Sequence, residues 1–268
     1  MDVVSLGFRT DLMLRRLAGA TITDHGSYLV VRTDSNPGFW WGNFLLLAEP
    51  PRHGDAKRWR SSFDTEFPSA AHLAIGIDGT AGDAGDEAEL AELGVVVDRP
   101  TVLTATRLQP PERPNPEAVY RLLDGDDDWA QALALQTRCD DIADSADQQL
   151  FRERRVAEQR RLCELGHGVW FGAFLHGRLR AGLGLFTDGA DRSGLARYQA
   201  VETDPDFRQQ GLASGLVHAA GLHGQRELGA RTLVIVADPA YVAIRIYRAL
   251  GFTGQETQVL LERPPTPA

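Results

Sequence analysis

The chain of 268 residues has only two cysteines, Cys139 and Cys163, and neither stands at metal-ligand spacing. Two isolated thiols give no disulfide framework and fit a reducing compartment, so cytoplasm is the expected location and no metal is expected. No run of about 18 apolar residues occurs, which argues against a helix across a membrane. The opening "MDVVSLGFRTDLMLRRL" lacks a basic segment followed by a long apolar one, so no signal peptide is expected. Positive charge is not in excess either. The 28 Lys and Arg face 37 Asp and Glu, and the net charge of -9 argues against a nucleic-acid partner. A Gly-x-Gly-x-x-Gly turn is missing, as is a glycine loop ending in Lys-Ser/Thr, which disfavours the common nucleotide loops.

What is present reads as an ordinary globular chain. At 43% hydrophobic and 24% charged it can bury a sizeable core. The clearest seam is "RLQPPERPNPEA", Arg107 to Ala118, whose four prolines forbid helix and discourage strand pairing. It sets the expected organisation: an α/β half at 1–110, a proline-rich connector at 111–118, and a second domain at 119–268. The tail "ERPPTPA" is expected to fray.

Periodicity supplies the elements. Before the seam, "DLMLRRLAG", "AKRWRSSFDTEF" and "EAELAELG" read as helices, and "GSYLVVRT", "GNFLLLAEP", "HLAIGID" and "PTVLTATRL" as strands. After it, strand "AVYRLLD" leads to two helices and then a hairpin turning at His176-Gly177. Strand "ARYQAVET" follows, then a polar turn, an apolar helix, strand "TLVIVAD", helix "YVAIRIYRAL" and strand "QVLLER". Each half is expected to be an α+β unit around a mixed sheet.

The polar turn, "RQQGLAS", carries the chemistry. A helix N-terminus exposes unpaired backbone N–H groups and about half a positive charge. Gly211 and Ala213 are small enough for an anion to approach that backbone, and Arg208 adds a full charge. Such a site suits a pyrophosphate. By itself the turn reads equally as a plain helix start with a surface arginine.

The order strand, turn, helix, strand, helix resembles the GNAT superfamily of acetyl-CoA-dependent N-acetyltransferases. That family has an Arg/Gln-x-x-Gly-x-Gly/Ala turn, and Arg208 to Ala213 stands at its place here. Ala243, Tyr247, Gly251 and Phe252 match the family's last helix and its exit. The resemblance covers about the last 150 residues and implies a GNAT fold there. It also implies a smaller, degenerate GNAT-like half before the connector, within a mixed α/β chain overall. Arg208, Gln209, Gln210, Gly211, Leu212, Ala213 and Ser214 would then bind the CoA pyrophosphate, while Val201, Glu202 and Thr203 supply backbone for the pantetheine arm. Two positions depart from the family pattern: Ala240 replaces a common asparagine, and Ala213 a commoner glycine.

The resemblance makes Tyr247 the acid that protonates the leaving thiolate. Glu202, a carboxylate in an apolar strand beside the expected cleft, is the candidate base, or alternatively a solvated strand-edge residue. On strict alternation Glu202 shares its face with Ala200 and Asp204, and Gln199 lies on the other face. His218 and His223 read as surface or packing residues. Trp40 and Trp41 read as anchors that hold the two halves together, in preference to an acceptor wall. Both cysteines are expected to lie away from the motifs. The implied activity is direct acetyl transfer to an amine of a small molecule or peptide, by a monomer or homodimer. The alternative is a protein that binds acyl-CoA without turning it over.

Overall fold

The computed structural model describes residues 1–140, 145–189 and 192–264. The chain opens with α1 (Leu6–Leu17), β1 (Thr21–Asp24), β2 (Tyr28–Arg32), β3 (Phe44–Leu47), α2 (Ala56–Glu66) and β4 (Leu73–Ile77). Then follow α3 (Glu87–Glu92), β5 (Val96–Asp98), β6 (Thr101–Ala105), β7 (Val119–Leu122), α4 (Gly125–Cys139) and α5 (Ala146–Glu164). The remainder is β8 (Gly168–Leu175), β9 (Arg178–Thr187), β10 (Leu195–Thr203), α6 (Leu212–Glu227) and β11 (Thr232–Ala237), ending with α7 (Ala243–Ala249), β12 (Thr253–Thr257) and β13 (Val259–Arg263). No helix among the described residues is long and apolar enough to cross a membrane.

Two compact units result: Met1–Val102 with Val236–Pro239 and Gly254–Ala268, and Leu103–Ile235 with Ala240–Thr253. Their extents differ from the halves expected at 1–110 and 119–268. The C-terminal strand "VLLER" pairs antiparallel with both β4 and β5, so the end of the chain lies with its beginning. The proline-rich stretch from Arg107 to Ala118 lies inside the second unit. The residues of the tail after Pro264 are outside those described.

In the first unit the strand order is β1-β2-β3-β4-β13-β5, and β3 and β4 run parallel while the other pairs are antiparallel. β3 and β4 are buried along their whole length, as their unbroken apolar runs require. Trp40 stacks on His72 with ring centroids 5.5 Å apart, and Trp41 packs on Phe44 and donates its ring N–H to Glu262. Both tryptophans thus pack inside the first unit, where their rings cover its core.

The sheet of the second unit runs β6-β11-β10-β9-β8-β7. β8 and β9 form the expected hairpin, and its turn residues His176 (φ 50°) and Gly177 (φ 75°) are both left-handed, which suits the twist of a tight hairpin. The acidic residues Asp126, Asp127 and Asp128 occupy the first turn of α4, where the helix dipole favours them. Ser145 caps α5 by accepting from the Gln148 amide.

Candidate active site

β10 has two irregularities, and the site grows out of them. Its parallel pairing with β11 covers only Leu195–Arg197 against Thr232–Val234, and no pairing with β11 continues beyond Arg197. On its other side it pairs with β9, but the register slips between Gln199 (opposite Gly184) and Glu202 (opposite Gly182). Two residues thus oppose one, a β-bulge, with Ala200 in the left-handed region at φ 47°. The bulge corrects the expected alternation. Gly182 and Gly184 share one face of β9, so Gln199 and Glu202 share one face of β10 instead of lying on opposite faces. Tyr198 turns to the other face, where its hydroxyl donates to the Val217 carbonyl of α6 at 2.9 Å.

After Thr203 the chain makes a short 3-10 turn, Pro205–Phe207, anchored by Asp204. The Asp204 carboxylate is almost fully buried and accepts from Arg138 at 2.7 Å, from Arg180 at 2.9 Å and from the Asp206 amide at 3.2 Å. Burial alone pushes its pKa up; the hydrogen bonds from Arg138, the Asp206 amide and Arg180 outweigh this and hold it below the ordinary carboxylate range.

The motif turn follows. Gln209 (φ 62°) and Gly211 (φ 76°) are both left-handed, and Gly211 is the N-cap of α6. No side chain caps α6 and no acidic residue sits in its first turn, in contrast to α1 and α5, which Ser5 and Ser145 cap. The N–H groups at this helix start therefore remain available to a ligand, with the dipole favouring negative charge. The requirement for glycine at 211 is more local than its expected role of admitting an anion. A Cβ there would stand 2.2 Å from the Arg113 carbonyl oxygen of the proline-rich stretch. Arg208 is exposed, and its Nε donates to the Thr203 carbonyl at 3.3 Å. Ser214 donates from its hydroxyl to the Gly211 carbonyl at 3.1 Å.

A cavity of about 480 Å³ gathers these elements. Its walls come from the end of β10 (Val201, Glu202, Thr203), the turn and helix start (Arg208, Gln209, Gly211, Leu212, Ala213, Ser214), and the approach to α7 (Tyr241, Val242, Ala243, Ile246, Tyr247). Of the residues expected at the site, only Gln210 is not among the lining residues; its carbonyl instead accepts from Asn115 at 3.0 Å. Cys139, at the C-terminus of α4, is in the wall as well. This corrects the expectation that both cysteines lie away from the motifs. Its Sγ donates to the Thr203 carbonyl at 3.4 Å, because α4 ends against the last residues of β10.

The electrostatics of the wall are unusual. Desolvation, and then repulsion from Asp140, push the half-buried Glu202 carboxyl up to about 8, against a smaller opposing pull from Arg155. Tyr247 is buried, and desolvation followed by the Tyr241 charge pushes its hydroxyl up to about 12. Burial, and then the Glu202 charge, push the Cys139 thiol up to about 11. At neutral pH the cavity thus holds a protonated phenol, a protonated thiol, and a carboxyl poised to lose its proton slightly above neutrality.

His218 and His223 do not line this cavity, and His223 packs edge-on against Phe171 at 5.2 Å. Among the described residues, His53, Asp86 and Glu89 bring their ligand atoms within 4.8 Å of one another. They belong to the first unit and are already partnered. His53 Nδ1 lies 2.6 Å from Asp86, and Glu89 accepts from the Gly54 amide at 2.9 Å.

Residues 136–252 match the model of the acetyltransferase (GNAT) family. No curated protein is significantly similar to the chain in sequence. Among solved structures, a GCN5-related N-acetyltransferase from Kribbella flavida superposes with a TM-score of 0.68 at 16% identity, over 99% of this chain and 98% of that one. A GCN5-related N-acetyltransferase from Sphaerobacter thermophilus gives 0.59 at 16% identity, over 96% and 86%. A tandem GNAT protein from the clavulanic acid biosynthesis pathway gives 0.53 at 15% identity, over 90% and 83%. At such identities the likeness establishes the fold, which is mixed α/β and GNAT-like.

Proposed function

We propose that the chain transfers the acetyl group of acetyl-CoA to an amine of a small molecule or peptide, a reading supported by the match of residues 136–252 to the model of the acetyltransferase (GNAT) family. One observation carries the reading: Glu202, Tyr247 and the uncapped start of α6 line one cavity. The residues suit the donor. The α6 start and Arg208 match a diphosphate in charge and in hydrogen-bond donors. The edge of β10 beyond Arg197, which no longer pairs with β11, offers backbone groups to the amides of a pantetheine arm.

Glu202, once ionised, takes a proton from the acceptor's ammonium, directly or through water, and leaves a neutral nucleophile. The amine nitrogen attacks the thioester carbonyl carbon, the C–S bond breaks, and Tyr247 gives its hydroxyl proton to the departing thiolate. The nitrogen sheds its second proton to solvent as the amide forms, the tyrosinate recovers one from solvent, and Glu202 releases the proton it took. A hydroxyl pushed up to about 12 remains protonated at working pH, as a proton donor must. The amides around the β10 bulge are the candidate donors to the developing oxyanion. In this reading the first unit is the remnant of a second GNAT-like half without a donor site of its own. The two free cysteines accord with a reducing, cytoplasmic setting.

Tyr247→Phe tests the reading against simple acyl-CoA binding. Turnover with a competent amine should fall by about 10²-fold while the affinity for acetyl-CoA stays within a factor of two. Unchanged turnover would remove Tyr247 from the chemistry, and a parent protein that binds acetyl-CoA but acetylates no amine in a broad screen would favour the binding protein.

A further inference from the structure

The donor turn is held from outside the span 136–252. Asn115, in the proline-rich stretch, donates from Nδ2 to the Gln210 carbonyl at 3.0 Å, and its Oδ1 accepts from the Glu117 amide at 3.0 Å. The two bonds fix the orientation of the side-chain amide. Two residues earlier, the Arg113 carbonyl oxygen stands 2.2 Å from where a Cβ on Gly211 would lie. The stretch therefore abuts one side of the turn, while Gly211 lines the cavity on another.

A peptide unit is planar and trans, so its C=O and N–H point in opposite directions. With the Gln210 carbonyl directed at Asn115, the N–H of the same peptide, which belongs to Gly211, points away from the proline-rich stretch. The turn has reason to relax if released. Gln209 is a non-glycine residue in the left-handed region, a conformation that persists only where its surroundings impose it.

Resting on the reading of the cavity as an acetyl-CoA site, we propose that Asn115 is a positioning residue for the donor's diphosphate. It fixes the Gln210–Gly211 peptide so that the Gly211 N–H already faces the phosphate before the ligand arrives. The bond to Asn115 thereby converts a strained loop into a preorganised anion site, and affinity for the diphosphate part of the donor depends on it.

The test uses the full chain with Asn115→Ala and Asn115→Asp, titrated with CoA and with pantetheine, which shares the thiol arm but has no phosphates. Asn115 is half-buried, and both variants should unfold at temperatures close to the parent's. The expected result is CoA affinity about tenfold weaker in both variants, the loss of one well-aimed hydrogen bond to a charged group, with pantetheine affinity unchanged. Unchanged CoA affinity, or an equal loss for both ligands, overturns the proposal. A parent protein that fails to bind CoA at all overturns the reading of the cavity itself, which is a separate outcome.

Discussion

The Nη2 of Arg138 lies 2.7 Å from the Asp204 Oδ1 of β10's exit, joining the end of α4 to the segment that leads into the motif turn. Arg180 holds the other carboxylate oxygen at 2.9 Å, and the Asp204 amide donates to the Arg180 carbonyl at 2.8 Å. The carboxylate is 2% exposed, whereas Arg138 is 50% exposed, so the two partners differ in how much water can replace the bond.

That asymmetry predicts unequal costs. Asp204→Ala leaves Arg180 without its acceptor in a largely dry site and should destabilise the chain by about 3 kcal/mol. Arg138→Gln, at the wet end of the same network, should cost less than about 1 kcal/mol. Chemical denaturation of the two variants beside the parent checks this. Similar losses for both would mean that the network does not depend on the buried carboxylate.

Glu202 predicts two pH effects of opposite consequence. Its carboxyl titrates at about 8 in the folded chain against 4.5 as its ordinary value, so the native state holds a proton that the unfolded state has lost between those values. Stability from this group therefore falls as pH rises through that window, and the loss is complete above about 8. Glu202→Gln should flatten that part of the stability curve and should be more stable than the parent at pH above 8. Catalysis runs the other way. With Glu202 as the proposed base, its ionised form accumulates as pH rises, so the parent's rate should climb towards a plateau with a midpoint near 8, and Glu202→Gln should be slower by about 10²-fold with no such rise. A rate profile in which the variant keeps the parent's rising limb would assign that titration to another group.

Cys139 gives a reporter of the cavity. Its thiol is pushed up to about 11 and that of Cys163 to about 12, both by burial, so both should alkylate slowly at pH 8. Only Cys139 lines the cavity. Saturating acetyl-CoA should therefore slow alkylation of Cys139 several-fold and leave Cys163 unchanged, which peptide mass spectrometry reads directly. Equal protection of the two would point to global tightening instead of occupancy.

Much of the architecture is legible in the sequence because its helices and strands carry strong periodic patterns. The hairpin at His176-Gly177, the α4 helix with its acidic start, and the order from β8 to α7 all announce themselves locally. β1 and β12 are short and present little apolar signal, whereas β5 has consecutive valines but only three residues, two of them exposed. The return of β13 to the first unit is hidden for a different reason, since "VLLER" marks a strand but says nothing of its partners. At the site, the turn was legible through Gly211 and Arg208, whereas the bulge was not. Ala200 adopts a left-handed conformation that no glycine or asparagine advertises. Cys139 and Asn115 carry no local signal because their links are made by folding, across 64 residues to Thr203 and 95 residues to Gln210.

On the proposed function, the cavity between β10, the α6 start and α7 binds acetyl-CoA. The most direct measurement is the unfolding midpoint of the intact chain with and without acetyl-CoA, confirmed by calorimetric titration. With ligand about a hundredfold above its dissociation constant, binding should add roughly 2.7 kcal/mol of stability with one site per chain. No shift and no heat at millimolar acetyl-CoA would mean that the cavity is not an acetyl-CoA site.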